Sequence, residues 1–139
     1  MIKTLERLEE DKFKNKIEHL AYLELDKIFE PDILLYEPMT LTSPGGTYKP
    51  DFVLTYRDRL IIVEVKSSWN SPGAARTKRS LKEIQQTYEF LGFFIAMLPQ
   101  KRHQKNKVIY VDEWRYEIVQ NATIKKIELE ELKESIENV

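Results

Sequence analysis

The segment Leu60-Ile61-Ile62-Val63-Glu64-Val65-Lys66 constrains the fold more tightly than any other part of the chain. Its β-branched, apolar content predicts a strand inside a sheet. Side chains alternate faces along a strand, so Glu64 and Lys66 project to the same side, about 7 Å apart. Val63 and Val65 take the other face and can pack beneath helices. Glu64 thus interrupts an apolar strand, and a carboxylate at such a place needs a partner or a chemical task.

Elements before this strand follow from pattern and punctuation. Residues 5–30 predict a helix whose inward stripe holds Phe13, Ile17, Leu20, Ala21 and Ile28, ended by Pro31-Asp32. Residues 33–41 and 47–56 predict strands, separated by the turn Ser43-Pro44-Gly45-Gly46. With Arg57-Asp58-Arg59 as a tight turn into residues 60–66, the three strands make an antiparallel meander. Asp51 then enters the second strand near the exit of the third, so Asp51, Glu64 and Lys66 converge at one end of the sheet.

Downstream, residues 67–77 predict a loop, 78–90 a helix stopped by Gly92, and 93–98 a buried strand ended by Pro99. A polar, basic segment at 100–107 leads to a short strand at 108–111. The tail from 125 to 138 predicts an amphipathic helix with Ile127, Leu132 and Ile136 inward. Together these elements predict a single α/β domain, a central mixed sheet flanked by helices. Its core spans about 12–111, followed by a helical extension over about 112–139.

The chain has 139 residues and no cysteine, which suits one domain and excludes disulfides, thiolate zinc sites and thiol nucleophiles. The charged start predicts no signal peptide, and no apolar run approaches the roughly 20 residues of a membrane span. A cytoplasmic protein is therefore expected. Net charge is −1, but residues 66–107 hold nine basic and two acidic groups between acidic flanks. A local field of that sign suits a phosphate-bearing partner, although a lysine-rich solvent face produces the same pattern.

Two carboxylates and an ammonium at one sheet end suit metal-assisted phosphodiester hydrolysis. Carboxylate oxygens are hard ligands for Mg²⁺, which keeps open positions for water and phosphate. The same residues equally make an ion pair without catalysis. In sequence, Pro50-Asp51 followed by Glu64-Val65-Lys66 resembles the PD-(D/E)XK nuclease superfamily. The likeness extends to Asn15-Lys16-Ile17-Glu18, Leu35-Tyr36-Glu37-Pro38, Tyr48-Lys49-Pro50-Asp51-Phe52 and Val63-Glu64-Val65-Lys66-Ser67-Ser68-Trp69, which look like small phage-type and Holliday-junction-resolvase-like members. Ser67 stands where glycine is usual.

That resemblance implies a restriction-endonuclease-like αβββαβ core and Mg²⁺- or Mn²⁺-dependent DNA cleavage. Asp51, Glu64 and Glu18 would be the metal ligands, and Lys66 would complete the catalytic set. Glu24 is a rival to Glu18 by helical periodicity. Arg76, Lys78, Arg79 and Lys82 lie where relatives approach the DNA backbone. The expected working form is a homodimer or a subunit of a larger nucleoprotein complex, of viral or phage character. Branched or junction DNA is the expected substrate, and the alternative is a catalytically silent DNA-binding or assembly subunit. Lys101, Arg102, Lys105 and Lys107 form a second basic group, and His103 is a conceivable proton donor. Gln85 or Gln86 with Tyr88 faintly resembles an exonuclease-like helix. Trp69 and Trp114 read as packing residues, and the acidic stretch from Glu128 to Glu137 as a possible interaction surface.

Overall fold

In the computed structural model, which describes residues 12–66, 72–88, 93–120 and 123–138 with backbone alone at 101–104, 108–112 and 120, eight strands and three helices follow one another. The order is α1 (Lys16–Phe29), β1 (Leu34–Tyr36), β2 (Leu41–Ser43), β3 (Gly46–Tyr48), β4 (Phe52–Tyr56), β5 (Arg59–Val65), α2 (Pro72–Thr87), β6 (Phe93–Gln104), β7 (Lys107–Gln120), β8 (Thr123–Ile127) and α3 (Leu129–Glu137). Six strands form one mixed sheet in the order β1-β4-β5-β6-β7-β8, and β2 and β3 make a separate hairpin. The β5–β6 pair is parallel, whereas the other neighbours in the sheet are antiparallel. The expected α/β class with a mixed sheet and flanking helices is present.

Two apolar clusters pack on opposite faces of the sheet. Phe52, Leu54, Ile61, Val63, Ile95 and Met97 face α1 and α3, meeting Ala21, Leu25, Phe29, Leu132 and Ile136. On the other face Val53, Ile62 and Phe94 meet Leu81 and Ile84 of α2 and Leu41 and Tyr48 of the hairpin. The period-two alternation of β4 and β5 thus feeds two cores, which is why these strands carry hydrophobic residues at nearly every position. Glu64 shares its parity with Ile62 and therefore lies on the α2 face.

Several expectations about element boundaries change. The helix expected over 5–30 begins at Lys16, where Asn15 caps it by accepting from the Glu18 backbone N–H at 2.9 Å; residues 5–11 lie outside the described set. Its buried stripe is Glu18, Ala21, Tyr22, Leu25 and Phe29, rotated from the one predicted, so Ile17, Leu20 and Ile28 are only half-buried. The single strands expected over 33–41 and 47–56 are each divided between the main sheet and the hairpin. Pro50 has no N–H for the ladder, and this divides the second run. Arg57 and Asp58, both at positive φ, make the tight turn between β4 and β5 as expected.

The loop expected over 67–77 gives way to helix from Pro72, a residue suited to a first helical turn. Residues 67–71, with Trp69, and Gly92 lie outside the described set. Beyond Leu98 the differences are larger. β6 continues through Pro99 with a register irregularity to Gln104, and Lys105-Asn106, both at positive φ, turn it into β7. In the expected helical extension over 112–139, the residues up to Gln120 belong to β7 and Thr123–Ile127 form β8, and among the described residues helix is confined to Leu129–Glu137. Ile127, Leu132 and Ile136 are nevertheless buried as expected. Among the described residues no helix is long and apolar enough to cross a membrane.

Candidate metal and phosphodiester site

The β4–β5 ladder ends with Phe52 opposite Val63, which brings Asp51, the residue before β4, beside the Glu64–Val65 end of β5, close enough for the Glu64 charge to act on it. Asp51 turns one oxygen back onto the strand: Val65 N–H donates to its Oδ2 at 2.7 Å. Glu64 is 5% exposed. Its Oε2 accepts from the Tyr48 hydroxyl at 2.7 Å, and Lys66 Nζ lies 3.4 Å from its Oε1. Ala96 sits opposite Glu64 on β6 and is fully buried; its small side chain leaves the carboxylate room.

Tyr48 comes from the hairpin rather than the main sheet. The hairpin is fixed to α2 through Leu41, Tyr48, Leu81 and Ile84. At its tip, Ser43 Oγ donates to Glu83 Oε2 at 3.1 Å. The Glu83 carboxylate also lies so close over Gly45 that a Cβ there would collide with it. The hairpin therefore delivers a buried hydroxyl to Glu64. Tyr48 belongs to the segment that drew attention to Asp51, yet nothing in its spacing revealed that its hydroxyl would reach Glu64 sixteen positions away.

The electrostatics follow from burial. Asp51 is pushed up to about 8, first by burial and then by the Glu64 charge, with the Val65 N–H acting the other way. Glu64 is also raised, chiefly by burial, against the pull of Tyr48 and Lys66. Burial together with Glu64 holds the Tyr48 hydroxyl in its protonated, donating form. Two carboxylates that resist ionising side by side bind a proton tightly, and a divalent cation can take that proton's place.

Glu18 reaches the same end of the sheet from α1. It is 8% exposed and accepts from the Tyr36 hydroxyl at 2.7 Å. Its charge raises the proton affinity of both Asp51 and Glu64. Glu24 is half-buried and turns toward β7, where the Tyr116 hydroxyl approaches its Oε1 at 3.4 Å. Of the two helix carboxylates, Glu18 is the one at this end. Among the described residues, however, no three or more of His, Asp and Glu are gathered closely enough to hold a metal ion. Glu18 is tied to Tyr36 through that hydroxyl bond.

A charged group missed by sequence reasoning flanks the pair. Lys14 Nζ and Lys49 Nζ approach the same oxygen of Glu37 at 2.9 and 3.2 Å. Glu37 is at φ 44°, and its N–H donates to the Asp51 carbonyl at 2.9 Å. Burial would raise its pKa, but Lys14, Tyr36 and Lys49 outweigh that and hold it low.

On α2, Arg76, Arg79 and Lys82 are exposed, while Lys78 is half-buried. Because α2 links parallel strands β5 and β6, it runs back along the sheet from the end that holds Lys66, and Arg76 lies in its early turns. Gln85 donates to the Val119 carbonyl, so it serves packing between α2 and β7. Trp114 packs against the α1–α3 core, as expected. Lys105 and Lys107 are exposed, and the side chains of Lys101, Arg102 and His103 lie outside the described set. Two surface concavities, of about 410 and 400 Å³, are lined by Tyr56 and Lys133 and by Trp114 and Lys126 respectively, away from Asp51 and Glu64. Compared with known proteins, the chain matches no family model, no curated protein and no solved structure.

Proposed function

We propose that this chain is a metal-dependent DNA endonuclease. The observation that carries the reading is that Asp51 and Glu64 lie close together at one end of the sheet, with Lys66 3.4 Å from Glu64. The hard oxygens of two neighbouring carboxylates suit Mg²⁺ or Mn²⁺, which uses one or two protein carboxylates and leaves positions for water and phosphate. When bound, such an ion supplies phosphate polarisation and a water of lowered pKa.

The protein's own groups complete the account. Asp51 and Glu64 hold the cation, and Tyr48 and Val65 fix the orientation of their carboxylates. Lys66 Nζ orients the attacking water and stabilises negative charge on the phosphate as it develops. Glu18 adds negative charge from α1, which favours a divalent ion over a bare cluster. Arg76, Arg79 and Lys82 position the DNA backbone without reading its sequence. A domain of this size offers few DNA contacts, so a homodimer or a larger nucleoprotein assembly is the working form, with branched or junction DNA as substrate.

The test incubates the purified chain with supercoiled, single-stranded, duplex and four-way-junction DNA in Mg²⁺, Mn²⁺ or EDTA, beside Glu64→Ala and Lys66→Ala. Metal-dependent cleavage lost in both variants is the expected result. Salt-sensitive DNA binding without cleavage in any metal would overturn the enzyme reading in favour of a binding subunit.

A further inference from the structure

The long β6–β7 hairpin is the largest structural feature left unexplained by the carboxylate site. β5 pairs with β6 only as far as Val65 and Met97, and β8 pairs with β7 only from Tyr116 onward. Between those limits β6 and β7 have only each other. The pairing continues through Leu98↔Arg115 and Pro99↔Trp114, and after a register shift through Lys101↔Tyr110 to Gln104↔Lys107. A two-stranded ribbon therefore leaves the sheet, and among the described residues no third strand pairs with it. At about 3.3 Å per residue, the stretch from Leu98 to Gln104 reaches on the order of 20 Å.

Its direction is fixed by topology. β6 is parallel to β5, and β5 ends at Val65, beside Glu64 and Lys66. The ribbon thus extends past the same sheet end that carries Asp51 and Glu64. Its outer part is also distinctive in composition. Residues 100–110 contain Lys101, Arg102, Lys105 and Lys107 and no acidic residue, and Lys105 and Lys107 at the turn are exposed. Leu98 and Pro99 at its base are buried and Trp114 packs against the α1–α3 core, so the part beyond Pro99 is what extends from the sheet. Its basic residues and its position together suit a phosphate-bearing partner.

We propose that the β6–β7 ribbon is an arm that lies in the major groove of duplex DNA and holds the duplex against the carboxylate end of the sheet. This rests on the nuclease reading above. The groove follows from dimensions: two strands about 4.8 Å apart with their side chains fill a groove about 12 Å wide and do not enter one about 6 Å wide. The major groove of A-form RNA is deep and narrow, so DNA is the polymer that fits. The four basic positions supply contacts to phosphates along the groove walls, which position the duplex without specifying sequence.

The test measures binding of the full chain to a short labelled DNA duplex across a series of salt concentrations, with Ca²⁺ replacing Mg²⁺. The wild type is set beside a variant carrying Lys101→Gln, Arg102→Gln, Lys105→Gln and Lys107→Gln together. Each lost phosphate contact removes about 0.9 from the slope of log K against log salt, so the variant's slope is expected to be shallower by about 3 to 4. Calorimetric Mn²⁺ titration of the same variant, which leaves the carboxylate end untouched, is expected to match the wild type. Wild-type protein is expected to displace methyl green, a major-groove dye, from DNA, and to leave the minor-groove ligand netropsin bound. A variant slope within one unit of wild type, or displacement of netropsin alone, would overturn the arm while leaving the nuclease reading intact. Absence of DNA binding by the wild type at low salt would overturn both.

Discussion

The two ends of the sheet carry the same chemical trio in different surroundings. At one end Glu64 accepts from the Tyr48 hydroxyl at 2.7 Å with Lys66 at 3.4 Å. At the other, Glu137 accepts from the Tyr56 hydroxyl at 2.9 Å with Arg57 Nε at 3.4 Å. Residue types and distances are nearly interchangeable. The Glu64 side chain, however, is 7% exposed and the Glu137 side chain 41%. Glu64 also lies close to a second carboxylate, that of Asp51, whereas Glu137 meets a tyrosine and an arginine at the end of α3. Solvent screens the exposed trio, which leaves it an ordinary surface contact. Burial and like charge turn the other into a pair that resists ionisation. Surroundings, more than the list of residues, make the candidate site.

The comparison can be broken first at the level of activity. If Asp51 and Glu64 hold the cation as proposed, Asp51→Ala and Glu64→Ala are each expected to lower DNA cleavage at least about 100-fold. Glu137→Ala at the opposite end is expected to leave cleavage at the wild-type rate in the same assay. Equal losses at the two ends would erase the distinction.

Stability against pH sharpens it next. Asp51 has a higher pKa folded than unfolded, so its contribution is fully present at acid pH and is lost as pH rises from the ordinary carboxylate range through about 8. Glu64 is shifted in the same direction. In chelator, the thermal midpoint is therefore expected to fall between mildly acid pH and pH 8, and Asp51→Asn is expected to flatten that fall. Saturating Mg²⁺ at 100 times its Kd is expected to restore about 2.7 kcal/mol by linkage. Both effects are read by calorimetry or circular dichroism melts.

Smaller effects follow at the tyrosines. Tyr48→Phe keeps the buried ring but removes the hydroxyl that orients Glu64, and Mn²⁺ affinity is expected to weaken by about 10-fold or more. Tyr56→Phe removes the matching hydroxyl at the exposed end, and its cost in unfolding free energy is expected to stay below about 1 kcal/mol.

How much of this was legible in the sequence depended on whether local pattern decided the outcome. The strand 60–66 announced itself through its dense β-branched and apolar content. The placement of Asp51 against Glu64 followed from the tight Arg57-Asp58 turn, which fixes the register of β4 on β5. Helix α1 was visible, but its face was not. Apolar residues surround it, and the choice of Ala21, Tyr22 and Leu25 as the buried side was made by the sheet and by the Glu18–Tyr36 bond. Of the β6–β7 hairpin, the apolar runs 93–98 and 108–111 were legible as strands, whereas the polar residues 100–107 that join them lack the period-two apolar pattern that marks a half-buried strand. Tyr48 was hidden for the opposite reason: its partner lies on another element, and only tertiary packing of the hairpin on α2 joins them.

The central claim is that Asp51 and Glu64 form a divalent-cation site whose proton is displaced when the ion binds. Calorimetric titration of Mn²⁺ into the full chain at pH 7, repeated in buffers of different ionisation enthalpy, tests it most directly. Saturable binding with release of about one proton per ion, abolished by Asp51→Asn, is the predicted result. Mn²⁺ binding that releases no proton and survives Asp51→Asn, or no binding at all, would contradict it.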